Sequence, residues 1–290
     1  MLDISAYKSK ASLCRRVCGG RRGRLAPGTI YRAPTNATAA GAHESALGGM
    51  RLERYSFGMN TLRPAERQWE AVESYFNELL IPSDPILDAA TKAIEAAGLP
   101  SISVAAHEGR LLWMLARMQG ARNILEIGTL GGYSTIWLAR ALAPGGRLIT
   151  LEFDPKHAAI ARENIARAGF AEMVEVRVGP ALDSLPVVAR EGRGPFDLTF
   201  IDADKKNNRE YFEWALKLSR RGSVILVDNV VRDGAVVDAS STDPDIRGIR
   251  RFIEMLAKEK RVSATALQTV GSRGYDGFAI ALVTGDARDA

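Results

Sequence analysis

From Asn123 onward the chain alternates short apolar runs with helix-period stretches, and this alternation constrains the fold more than any other feature. Apolar runs fall at 123–127, 147–151, 173–178, 196–201 and 223–227. Helical patterns near 133–143, 155–168, 181–190 and 207–219 lie between them. Strand–helix alternation with short connections predicts an α/β fold, a doubly wound Rossmann-like sheet that is mostly parallel. After a helix around 244–259, two runs at 262–269 and 276–283 flank Gly271-Ser272-Arg273-Gly274, which predicts a closing antiparallel hairpin. Helices precede the sheet. Trp69, Val72, Tyr75, Phe76 and Leu79 repeat at three- and four-residue steps. Ser83-Asp84-Pro85 opens a second helix, and a third runs from about Ala105 to Met118. These helices are expected to cover a site or to form a dimer face.

Two of the apolar runs end in acids. Phe196–Ile201 leads into Asp202-Ala203-Asp204-Lys205, and Ser223–Val227 leads into Asp228-Asn229. In parallel sheets the carboxyl ends of the strands open onto the ligand crevice. Asp202, Asp228, Asn229 and the amine of Lys205 are therefore expected at one edge. Two carboxylates and an amide suit Mg²⁺ or a similar hard divalent ion rather than zinc. The alternative for a single acidic strand end, helix capping by Asp202 or Asp204, loses force when two such ends occur.

The first strand ends in Glu126-Ile127-Gly128-Thr129-Leu130-Gly131-Gly132-Tyr133-Ser134 and passes directly into a helix. Glycines there allow a tight turn and close approach of a ligand to the backbone. Glu152, at the end of the second strand, can accept hydrogen bonds from both ribose hydroxyls of an adenosine ligand. The G-x-x-G-G spacing is not the G-x-G-x-x-G of dinucleotide sites. Glu126 puts a carboxylate where a ligand's ammonium group could sit, which suits an amino acid better than a pyrophosphate. S-adenosylmethionine fits this set better than NAD does, and no Tyr-x-x-x-Lys or His–acid pair supports a dehydrogenase.

Charge divides the chain. Residues 1–50 hold eight Lys or Arg against Asp3 and Glu44, so they carry +6 and the remainder −1. The near-neutral remainder has no nucleic-acid footprint. Both cysteines, Cys14 and Cys18, sit in the basic stretch, which excludes a disulfide framework or a thiolate site in the core. Residues 1–58 are expected to be a mostly disordered basic leader, a transit peptide or sequence upstream of a later start at Met50 or Met59. Residues 59–290 are expected to form one domain. No apolar stretch approaches the roughly 18–20 residues that span a bilayer, and a cytoplasmic setting is expected.

The segments Ile124–Ser134, Leu151–Pro155, Gly179–Leu182, Phe196–Lys205, Asp228-Asn229-Val230 and Gly271–Phe278 together resemble the cation-dependent O-methyltransferases, the family of catechol and caffeoyl-CoA O-methyltransferases. The resemblance covers roughly residues 64–284. It implies a SAM-dependent methyltransferase with Glu126, Gly128, Thr129 and Ser134 along the methionine moiety, Glu152 on the ribose and Ala181 beside the adenine. Val104 and Asp204 are implied as further cofactor-region contacts. Asp202, Asp228 and Asn229 are implied as ligands of a divalent cation (Mg²⁺, with Mn²⁺ or Ca²⁺ as alternatives), and Lys205 as the base. Plant members hold substrate with an Asn near the position of Asp233 here. A phenolic hydroxyl titrates near 10 and is a poor nucleophile at neutral pH. The implied chemistry is deprotonation of one hydroxyl of a vicinal pair by Lys205, helped by the cation, then attack on the sulfonium methyl. The implied partners are a small phenolic acceptor and a second copy of the chain. Action on tRNA, with the basic leader touching phosphates, and a non-catalytic SAM-binding module are the competing readings. Arg232–Asp245, polar and rich in Gly, Ser and Thr, is expected to form a loop over the acceptor. His107 and His157 are expected to be surface or capping residues.

Overall fold

A computed structural model describes residues 64–285, all within one compact unit. The expected leader at 1–58 lies outside the described residues. Three helices come first: α1 (Pro64–Leu80), α2 (Pro85–Ala96) and α3 (Ala106–Met118). Asp84 caps α2 by accepting from the Ile86 and Leu87 amides, with Pro85 at the first helical position, so the Ser-Asp-Pro signal is used as expected.

The alternating half follows. β1 (Asn123–Ile127), β2 (Arg147–Glu152), β3 (Val174–Val178), β4 (Phe196–Ile201) and β5 (Ser219–Asp228) are linked through α4 (Tyr133–Ala141), α5 (Pro155–Arg167), α6 (Ala181–Arg190) and α7 (Asn208–Lys217). After α8 (Pro244–Leu256), β6 (Val262–Gly271) and β7 (Gly274–Val283) close the chain. The seven strands lie in the order β3-β2-β1-β4-β5-β7-β6. β1 to β5 are parallel and β7 runs antiparallel between β5 and β6. This is the doubly wound sheet with an antiparallel hairpin that the alternation predicted.

β4 is buried along its whole length because helices cover both faces of the sheet centre. One apolar cluster centres on Phe196, Phe212, Ile225 and Phe252, and another on Ile124, Leu138, Leu148 and Leu198. β5 begins four residues earlier than the apolar run suggests. Ser219 pairs with Phe196 across a register irregularity, and the Ser223 hydroxyl donates to the Phe196 carbonyl at 2.6 Å. Ser-Arg-Arg-Gly carries no apolar signal, so backbone pairing alone recruits it.

Trp137 packs with Leu87, Ala90 and Ile136 in the core and Trp214 beside the larger cluster, as expected for core tryptophans. α1 differs from a core helix. It buries no residue, and Val72, Tyr75, Phe76 and Leu79 are all exposed among the described residues. Among those residues no helix is long and apolar enough to cross a membrane.

Candidate functional site

The strand registers divide one sheet edge into two halves. Ile127 is level with Leu151 and with Ile201, and Ile201 is level with Val227. The residues just past these levels are Gly128, Glu152, Asp202 and Asp228. β1 to β3 thus carry the residues expected around the cofactor, and β4 and β5 carry the acids. Asp202 and Asp228 leave neighbouring strands at the same level, where strand spacing is about 4.8 Å.

On the cofactor side the loop after β1 folds back on β4. Gly128 has φ +99°, and a Cβ there would lie 2.0 Å from the Asp202 carbonyl oxygen. Only glycine permits that approach. Glu152 braces the loop, accepting from the Thr129 amide at 3.1 Å and the Leu130 amide at 2.7 Å. Its other oxygen accepts from the Asp154 amide at 2.9 Å, and His157 Nδ1 stands 3.4 Å away. His157 is therefore no bystander: it flanks the carboxylate expected to hold a ribose. Ala181 opens α6 just past β3, at the outer end of this half.

Glu126 is fully buried. It accepts from the hydroxyls of Ser134 (2.7 Å), Thr135 (2.5 Å) and Thr150 (2.7 Å). Since Thr150 spends its proton on Glu126, the 2.5 Å Thr129–Thr150 contact has Thr129 as donor. Burial outweighs these hydroxyls and pushes the Glu126 carboxyl up to about 7, with Asp202 adding to the rise. A carboxyl raised on folding favours the native state below the unfolded value near 4.5. That advantage fades as pH rises through about 7. Without cofactor, the wild type should therefore lose up to about 3 kcal/mol more stability between pH 5 and pH 8 than Glu126→Gln does. Urea unfolding at the two pH values measures this, and equal losses in both proteins would refute it.

On the acidic side, Lys205 is buried. Its ammonium lies 2.7 Å from Asp202 Oδ1, in a 3-10 turn at Lys205–Asn207. It is neither solvent-facing nor paired with Asp204. Gly248 of α8 makes this possible, because a Cβ there would lie 2.4 Å from the Lys205 carbonyl oxygen. α8 grips the turn further through Asp245, which accepts from the Lys206 amide, and Arg251, which donates to the Lys206 carbonyl. Asp204 leads into the turn without capping it through its side chain, which accepts instead from the Tyr211 hydroxyl and the Asn207 side-chain Nδ2. Asn229 takes a left-handed φ of +55°, which Asn tolerates better than most residues, and its N–H donates to Asp228 at 2.7 Å. Burial, then the Asp202 charge, drives the Asp228 carboxyl well above the usual carboxylate range against the pull of Lys205.

Asp202, Asp228 and Asn229 open into a cavity that Val104 also lines. Its other walls include Glu73, which the sequence did not single out, and His107, which was expected at the surface or in a cap. Glu73 on α1 accepts from the Ser272 amide at 2.6 Å and the Ser272 hydroxyl at 3.1 Å, which clasps the β6–β7 turn. His107, on the first turn of α3, places Nδ1 3.6 Å from Glu73. Both line the cavity, so His107 belongs to the site and not to a remote surface. No residue of Arg232–Asp245 lines this cavity directly, but the loop borders it, with Asp233 beside Gly274 and the Arg232 amide on Asp276. The Asp233 amide is tied to the Tyr275 carbonyl, and Arg250 to the Val236 carbonyl, so the loop lies against β7 and α8. Asp276 anchors its start by accepting from the amides of Val231 and Arg232.

A family model described as O-methyltransferase matches residues 81–281. A catechol O-methyltransferase of Niastella koreensis is 54% identical over 215 residues, covering 74% of this chain and 97% of the relative. One from Mycobacterium tuberculosis is 54% identical over 212 residues, covering 73% and 94%. Among solved structures, the O-methyltransferase from Bacillus cereus in complex with SAH is 59% identical with a TM-score of 0.74, covering 75% of this chain and 99% of that one. The O-methyltransferase TomG from Streptomyces achromogenes, in complex with SAM, is 53% identical with the same TM-score, covering 76% and 99%.

Proposed function

We propose, from the premise that this chain belongs to the O-methyltransferase family and is a SAM-dependent O-methyltransferase, that it methylates one hydroxyl of a vicinal dihydroxyphenyl small molecule with the help of a divalent cation. The observation carrying this reading is the strand-end pair Asp202 and Asp228, with the Asn229 amide beside it and Lys205 against Asp202. Two carboxylates held side by side, one of them driven up by burial and by the other's charge, form a site that a divalent cation would relieve. The all-oxygen set fits Mg²⁺, with Mn²⁺ or Ca²⁺ as alternatives. When bound, such an ion supplies charge that stabilises a phenolate.

The chain's own groups do the rest. The Gly128–Ser134 loop and Glu152 would hold the cofactor, with Glu126 behind the loop hydroxyls, Ala181 toward the adenine, Val104 as a further cofactor contact and Asp204 where the cofactor meets the substrate. Lys205 would act as the base in its neutral form: with Asp202 turned to the cation, the ammonium would release its own proton to solvent, and the free amine would accept the phenolic proton. The phenolate oxygen then forms a bond to the methyl carbon as the carbon–sulfur bond breaks and SAH leaves. The protein's contribution is mainly placement of the two reactants. The relatives named catechol O-methyltransferase support the acceptor class. A homodimer in a cytoplasmic setting completes the reading.

The test is transfer of labelled methyl from SAM to 3,4-dihydroxycinnamate with Mg²⁺ and with EDTA. Product with the metal and none with the chelator is expected. Equal product in EDTA would refute the role given to Asp202, Asp228 and Asn229.

A further inference from the structure

Five carboxylates face the cavity, and each already has a donor. Lys205 holds Asp202 at 2.7 Å, and the Asn229 N–H donates to Asp228. Asp276 accepts from the amides of Val231, Arg232 and Gly277 at 3.1, 3.0 and 2.9 Å. Glu108 accepts from the Ala105 amide at 2.8 Å, closing the first turn of α3. Glu73 has both Ser272 donors, with His107 Nδ1 3.6 Å away. One cation on the same wall has no such match. Arg273, exposed in the two-residue turn between β6 and β7, lines this cavity and the neighbouring hollow beside Glu95 and Tyr133, and no ion pair or hydrogen bond holds its side chain among the described residues.

Its position is nevertheless built. Gly271 sits so close to Glu73 that a Cβ would lie 2.3 Å from the carboxylate, and Ser272 is doubly held by it. The turn is therefore seated on α1, with Arg273 in the cavity wall. Ile102 and Val270 line the same cavity while remaining exposed, at 65% and 48%, which leaves apolar surface for a ring or its side chain. An unmatched guanidinium beside apolar surface is suited to a carboxylate carried on an aromatic ligand, which it can grip through two parallel hydrogen bonds.

Resting on the function proposed above, we infer that Arg273 is a specificity-determining residue that receives a carboxylate on the acceptor. The preferred substrates are then catechols with an acidic side chain, ahead of neutral or cationic ones. The test compares 3,4-dihydroxycinnamate with its methyl ester in the full chain with Mg²⁺, by calorimetry in the presence of SAH and by turnover with SAM. The acid should bind about 10-fold more tightly than the ester. Arg273→Gln should reduce that preference to about 2-fold or less, while kcat for unsubstituted catechol stays unchanged. Equal affinity for acid and ester in the wild type would overturn the inference. So would equal weakening of both by Arg273→Gln.

Cinnamate itself, which has no hydroxyl, separates this inference from the reading beneath it. If no catechol is methylated with any cation, the proposed acceptor class falls. Arg273-dependent binding of cinnamate would still establish the carboxylate subsite, and its absence would remove it.

Discussion

Asp228→Ala is expected to lower methyl transfer by about 10³-fold or more while changing SAM affinity by less than about 3-fold, because it removes a carboxylate from the acidic half of the sheet edge and leaves the cofactor half intact. Asp228→Asn keeps the shape and isolates the charge. The wild-type carboxyl is raised on folding by burial and by Asp202. Its contribution therefore favours the native state below the unfolded value near 3.8 and is lost as pH rises through the folded value. At neutral pH and in EDTA the Asn variant should melt above the wild type. With excess Mg²⁺ the order should reverse, since binding at 100 times Kd adds about 2.7 kcal/mol to the wild type alone. Melting curves with and without the cation read this out. A wild type indifferent to Mg²⁺, or an Ala variant with normal turnover, would refute it.

Gly128→Ala should be as damaging for a different reason. The methyl group would meet the Asp202 carbonyl at 2.0 Å, on a backbone with φ +99°. Conformation alone costs about 1–2 kcal/mol. The clash adds more, because backbone on both sides must move, so a loss of about 3 kcal/mol or more is expected, on the order of 10 °C in Tm. Cofactor binding and transfer should fail together, since the same contact joins the cofactor loop to the strand that ends in Asp202. Gly169→Ala is the matched control, with φ +83° and nothing within 4 Å of the added carbon. It should show only the conformational cost. If the two variants melt alike, the close approach is not what demands glycine at 128.

Much of this was legible in the chain because it is local. Apolar runs of strand length, separated by helix-period segments, place β1 to β5, and the acids that end β4 and β5 come to one edge by parallel register alone. The Ser83-Asp84-Pro85 cap needed only four residues to be read. What escaped is what joins distant segments. Glu73 meets Ser272 across 199 positions, and neither residue type suggests the other. His107 looked like a helix-start histidine because its neighbour Glu73 lies on another helix. Lys205 could have been solvent-facing. Its burial depends on Gly248, and a lone glycine within a helical pattern gives no sign of what will pack on it. For the Arg232–Asp245 segment, polarity identifies a loop without telling which surface receives it. Here Tyr275 and Arg250 provide that surface.

The β6–β7 hairpin suggests how such a protein can change its substrate over time. Of its two strands only β7 runs against the rest, and neither carries any of the groups assigned to cofactor, cation or proton. Its tip still forms one wall of the cavity into which Asp202, Asp228 and Asn229 open. Ser272 and Arg273 can drift, lengthen or be exchanged while the parallel strands keep the transfer machinery intact. On the reading proposed for Arg273, acceptor choice is an interchangeable part, open to selection or to grafting, mounted on chemistry that stays constant.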